Sequence, residues 1–116
     1  MVIRENQHPV ETRERARGGQ GILTLHHLLT PEQLFHHGRL LSKSILTPGC
    51  SLGYHEHHGE MEFFYILSGT AEVFDGKQRY LLYPGDTMHT GDGEGHSIAC
   101  YGNETMEYIA LILFKE

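Results

Sequence analysis

Turn signals recur so densely along the second two thirds of this chain that no long helix can fit between them. After Arg39 they fall at Pro48-Gly49, Ser68-Gly69, Asp75-Gly76, Pro84-Gly85, Gly91 to Gly95 and Gly102-Asn103. The segments between them are short, branched and aromatic, which is the pattern of strands. The expected strands are Arg39 to Thr47, the run from Glu62 to Leu67, Thr70 to Phe74, Lys77 to Tyr83, Asp86 to Thr90, His96 to Tyr101 and Thr105 to Phe114. Asp75-Gly76 is read as a two-residue hairpin turn. Eight or nine strands in one small domain mean an all-β sandwich or barrel, and periodicity alone does not choose between the two.

Upstream the pattern differs. Residues 1–21 are polar, and Arg4, Arg13, Arg15 and Arg17 fall among only three acids. They read as a solvated N-terminal arm, partly extended and ending in a glycine-rich turn, in preference to an anion site. Ile22 to Leu25 is a first short strand. Thr30-Pro31-Glu32-Gln33 carries a Thr cap, Pro at the first helical position and Gln three residues after the cap. That combination predicts one short helix stopped by Gly38. The division is therefore 1–21 arm and 22–116 barrel domain, with no repeat or linker marking a second domain.

Bulk properties exclude some roles. The chain has 116 residues and a formal net charge of −6, which opposes a general nucleic-acid role. No long apolar run opens the chain, so neither a signal peptide nor a membrane span is expected, and a cytoplasmic location follows as the default. Cys50 and Cys100, far apart in sequence and without a C-x-x-C, read as free thiols. The feature in excess is histidine, ten residues in all.

Three side chains of metal-ligand type crowd one stretch: His55, His57 and Glu62. Two residues apart on a strand, His55 and His57 share a face. Glu62, Phe64 and Ile66 share another by the same parity. Two imidazoles and a carboxylate suit a divalent ion of borderline softness, and His96 is the candidate fourth ligand. Fe, Mn, Ni, Zn and Cu all accept such donors, and one ion per chain is expected. Glu60 is a rival to Glu62, placed second because it follows Gly59 in the turn. His58 should face the surface by parity. Phe64, Ile66, Ile98 and Cys100 share faces with ligands and are expected to line the pocket, while Tyr54, Tyr65 and Tyr101 face outward. His89 is a candidate general acid or base if it points inward. Asp92 and Glu94 read as parts of a solvated turn before His96. The pairs His26-His27 and His36-His37 are read as mostly solvent-facing.

Gly49, His55, His57, Glu62 and Gly69 fit G-x5-H-x-H-x4-E-x6-G, which resembles the first motif of the cupin superfamily. Pro84-Gly85-Asp86, Gly93 and His96 resemble its second. One departure is Cys100, where the family often has Asn four residues after the histidine. The resemblance implies a double-stranded β-helix, or jelly-roll barrel, with the metal at its centre, and a homodimer. It implies a metal-dependent isomerase, decarboxylase or dioxygenase acting on a small polar metabolite that chelates the ion. The alternative is a module that binds or senses a small ligand without turnover. Small cupins of this kind are often sugar-phosphate isomerase-like, but no Lys or Arg cluster sits beside the motifs to hold a phosphate.

Overall fold

In the computed structural model, which describes all of residues 1–116, the chain forms ten strands. They are β1 (Val10–Glu14), β2 (Ile22–Leu29), β3 (Gly38–Leu46), β4 (Ser51–Glu56), β5 (Glu60–Ser68), β6 (Ala71–Phe74), β7 (Arg79–Leu82), β8 (Thr87–Thr90), β9 (Gly95–Cys100) and β10 (Met106–Phe114). One antiparallel sheet has the order β1-β2-β3-β10-β5-β8 and the other β4-β9-β6-β7. This is the expected jelly roll. The segment read as an arm gives β1 to the chain's own larger sheet, where it pairs with β2 alone.

Strict alternation makes the core. Along β10, Met106, Tyr108, Ala110 and Ile112 are buried while the residues between them are half-exposed. Phe64 and Ile66 of β5, Val73 of β6 and Ile98 of β9 close on them from both sheets to form one cluster of 15 buried residues. Burying each large apolar side chain contributes roughly 1.5–3 kcal/mol, so this cluster dominates the stability of the sandwich.

Two local expectations are corrected. The predicted helix after Thr30 does not form. Its cap does: Gln33 N–H donates to Thr30 Oγ1 at 3.2 Å, and Gln33 Oε1 accepts from Thr30 N–H at 2.9 Å. The chain then leaves helical geometry at once, because Phe35 and His36 take φ of 54° and 57°. A left-handed residue other than glycine costs roughly 1–2 kcal/mol, so a single capped turn is all that survives. The hairpin at Asp75-Gly76 is also longer than two residues, since Phe74 pairs with Arg79. Asp75 Oδ1 accepts from the N–H groups of Lys77 and Gln78 at 2.8 and 2.9 Å, which favours the wider turn.

Candidate metal centre

The donors come from neighbouring strands of both sheets. His55 lies on β4, directly opposite His96 on β9, just after a register shift between Leu52 and His55. His57 follows the end of β4. Its N–H donates to Glu94 O at 2.9 Å, so the turn before β9 holds it in place. Glu62 on β5 pairs with Thr90 on β8 and with Ile112 on β10. His57, Glu62 and His96 are buried at 2%, 4% and 0% exposure, a depth that charged or polar groups tolerate only with partners.

One nitrogen of each imidazole is turned outward and held. His55 Nδ1 meets Gly53 O at 2.8 Å, His57 Nδ1 meets Glu60 at 2.6 Å, and His96 Nδ1 meets Thr90 Oγ1 at 2.7 Å. With Nδ1–H donating to these oxygens, each Nε2 presents a lone pair to the centre. There Nε2 of His96 lies 3.2 Å from Nε2 of both His57 and His55. Glu62 Oε1 lies 2.9 Å from the Nε2 atoms of His57 and His96, and 4.0 Å from that of His55. Three lone pairs and a carboxylate facing one another so closely repel unless a cation stands among them. Donors about 2.1 Å from one ion stand roughly 3 Å apart, so the spacing fits a shared metal. All four donor atoms lie within 4.8 Å of one another.

The electrostatics divide between the donors: burial favours the neutral imidazole at His55, whereas at His57 a proton shared with Glu62 takes the place that an ion would hold. Burial pushes the His55 imidazole down to about 4, which leaves it neutral and ready to ligate. His57 moves up, chiefly through its bond to Glu62. For Glu62 burial works upward, but the bonds from His57 and His96 outweigh it and hold the carboxyl at about 2. Burial raises the phenol of Tyr108, which is fully enclosed beside the centre.

The sequence reading missed the residues that hold the ligands. Glu60 is not in the turn; it opens β5 and bonds His57 from behind. Arg39 grips Glu60 through two contacts of 2.8 Å, and that guanidinium lowers the Glu60 carboxyl. Thr90 could have been found by its pairing with Glu62, and Arg39 by nothing local, since it lies 21 residues before Glu60.

A cavity of about 50 Å³ opens onto His55, His57 and Glu62, walled by Leu23, Leu25, Leu40, Leu52, Tyr108 and Ile112 among others. Phe64, Ile66, Ile98 and Cys100, expected as its lining, are buried but do not reach it. Phe64 instead stacks on the His96 ring at 4.7 Å from beneath. Arg13, Arg17 and Arg39 do reach the cavity. The arginines that the motifs lack come from outside them: Arg13 and Arg17 stay exposed, as read for a solvated arm, and border the cavity as well.

The remaining candidates lie elsewhere. His89 is on the exposed face of β8, beside Asp75, Lys77 and Glu94 and away from the four donors. The inward orientation that acid–base work would require is absent. His58 is exposed and pairs with Glu56 at 3.2 Å. Asp92 accepts from Gly59 N–H at 2.7 Å and Glu94 from Gly91 N–H at 2.7 Å, so both organise turns. Cys50 and Cys100 are free, although Cys100 N–H donates to Cys50 O at 3.0 Å across the sheet. No helix is long and apolar enough to cross a membrane.

Comparison with known proteins points one way. A family model described as the cupin domain matches residues 43–112. The oxalate-binding protein of Thermotoga maritima is 37% identical over 113 residues, covering 97% of this chain and 93% of that one. The crystal structure of a predicted oxalate decarboxylase from Thermotoga maritima superposes with a TM-score of 0.93 at 37% identity, over 98% of this chain and 99% of that one. A cupin-like protein of Thermotoga maritima shares the fold at a TM-score of 0.72 and 19% identity, over 84% of this chain and 71% of that one.

Proposed function

This chain belongs to the cupin family, and from that premise we propose that it captures a small ligand that binds a divalent metal through two oxygens, with oxalate the first candidate. The observation that carries this reading is the convergence of three Nε2 atoms and one Glu62 oxygen, of which His55, His57 and Glu62 border a cavity of about 50 Å³ and His96 lies beneath it. At about 10–15 Å³ per enclosed water, that is room for only a few small groups.

His55, His57, Glu62 and His96 would hold one ion of Fe, Mn, Ni, Zn or Cu. When bound, the ion supplies a Lewis-acidic centre for oxygen ligands. Glu60 and Thr90 keep the His57 and His96 rings turned toward it. Leu40, Leu52 and Ile112 add apolar wall beside the donors, which lowers the local dielectric and strengthens charge interactions there. The oxalate-binding name of a relative aligned over nearly the whole chain supports the ligand class.

Capture without turnover is the first reading, because no uncommitted carboxylate or imidazole lines the cavity. His55, His57 and Glu62 are donors, and the other titratable groups there are arginines and Tyr108. Decarboxylation is the second reading, favoured by the description of the solved relative as a predicted oxalate decarboxylase. The test begins with elemental analysis of protein purified without a His-tag or added metal, where one transition ion per chain is expected. Calorimetry with oxalate should then give binding that vanishes when the ion is stripped. Binding that survives stripping would refute the metal-centred site, and formate or CO₂ release would select the second reading.

A further inference from the structure

The cavity carries positive charge that the metal donors do not account for. Arg39 is committed to Glu60. Arg13 also makes two contacts with one carboxylate, Glu11 at 2.7 and 3.4 Å, but that carboxylate is 43% exposed where Glu60 is 11% exposed, and Arg17 enters no ion pair. Arg13 sits opposite Leu23 in the β1–β2 pairing, and Glu11 opposite Leu25. Directly opposed residues share a face of the sheet, and Leu23 and Leu25 are each 2% exposed and line the cavity. Arg13 therefore projects over the opening from the inner face of β1. Its charge acts on the buried Tyr108 hydroxyl in the same wall. Its one protein partner, Glu11 at 2.7 Å, is shared with His27 and stands in solvent.

Arg17 approaches from the following turn, and its guanidinium enters no ion pair. That turn is held hard against β4, the strand of His55. A Cβ at Gly53 would lie 2.1 Å from Arg17 O, and one at Gly19 2.2 Å from Ser51 O. Ser51 N–H donates to Gln20 O, and Gln20 N–H to Ser51 Oγ, at 2.8 and 2.9 Å. Arg15 and Arg17 both take left-handed φ, 49° and 54°, to follow this path. Side chains other than glycine stay in that region only where the surroundings impose it.

We propose that Arg13, joined by Arg17, is the ligand-selecting cation of this site, and that the ligand is a small dicarboxylate whose second anionic edge faces these guanidiniums. The inference rests on the metal reading above. Three neutral imidazoles and one carboxylate leave a divalent ion one net positive charge. A dicarboxylate brings two negative charges, and a guanidinium matches the one left over. Guanidinium also matches a carboxylate edge in shape, through two parallel N–H···O bonds. A chelator that keeps no second carboxylate would leave the arginines without a partner.

The test uses full-length protein loaded with Mn(II), titrated with oxalate and with oxamate, its monoanionic amide. Wild type should prefer oxalate by about tenfold or more, the scale of one charge-assisted hydrogen bond. Arg13→Gln should keep one ion per chain and lose about tenfold in oxalate affinity, with oxamate changed less than about threefold. Arg13→Lys should recover part of the loss. Arg17→Gly removes the guanidinium while relieving the left-handed backbone, so a merely structural role predicts no loss of affinity and the selecting role predicts a loss confined to oxalate. It carries the test should Arg13→Gln fail to fold. Unchanged oxalate affinity in both variants, or equal losses for both anions, overturns the inference, as does a metal-loaded wild type without preference. A wild type that takes up no ion sinks the metal reading and this inference with it, and the ion count tells the two failures apart.

Discussion

The floor of the cavity and its rim are built on opposite terms. On the floor and just beneath it, His57, Glu62 and His96 are at most 4% exposed, and every imidazole is held from behind. At the rim, the Arg13 and Glu11 side chains are 44% and 43% exposed. An ion pair that wet contributes at most about 1 kcal/mol. The floor is preorganised for one geometry, whereas the rim is free to exchange Glu11 for an incoming anion. A site divided this way separates two tasks: the buried donors settle whether an ion is held, and the exposed guanidiniums settle what joins it.

The largest expected effect breaks the floor. His57→Ala should abolish stoichiometric metal in elemental analysis, and a variant that keeps one ion per chain would refute the ligand set. Next comes the support behind it. Glu60→Gln weakens the acceptor of His57 Nδ1–H and frees Arg39, and should lower metal affinity by about 10- to 100-fold in a chelator competition. No change would mean that the orientation of His57 is imposed by packing alone.

The other two changes should move the rim and leave the floor. Gly53→Ala drives a Cβ into Arg17 O. Forcing such contacts costs about 1–3 kcal/mol, so amide exchange should quicken across residues 10–20 while the ion count stays at one. Metal loss in that variant would show that the two regions are not separable. The smallest effect is acidic. The Arg13 guanidinium, then His27, holds Glu11 at about 2, below its ordinary 4.5. A depressed carboxyl contributes stability that is present above pH 4.5 and lost as the pH falls toward 2. Glu11→Gln should therefore flatten the acid limb of the denaturation curve by about 0.5 kcal/mol, given its exposure. An unchanged limb would mean the pair contributes nothing.

The same division explains what could be read from the chain. The donors of the floor lie in two short motifs, where strand parity and turn spacing are local properties, and His55, His57, Glu62 and His96 do meet. Parity likewise puts Phe64, Ile66 and Ile98 on the ligand faces, which reads as pocket lining, but it does not say on which side of the metal the cavity opens, and they lie in the core instead. The supporting residues and the rim depend on long-range pairing. Arg39 reaches Glu60 from β3, and Arg13 arrives only because β1 folds onto β2. His89 was ambiguous because the last strand before the glycine-rich loop is four residues long, too short for its alternation to be read. The aborted helix illustrates a different limit. Thr30 and Gln33 form their cap as read, but nothing in Phe35 or His36 announces left-handed backbone.

The placing of Arg13 on β1 has an evolutionary consequence. That strand is outermost in its sheet, hydrogen-bonded to β2 and to no other strand. Sequence drift there disturbs one neighbour and leaves the donor strands β4, β5 and β9 untouched. A lineage could thus retune its taste for ligands by rewriting a few codons near its start, with the ion-holding machinery inherited intact.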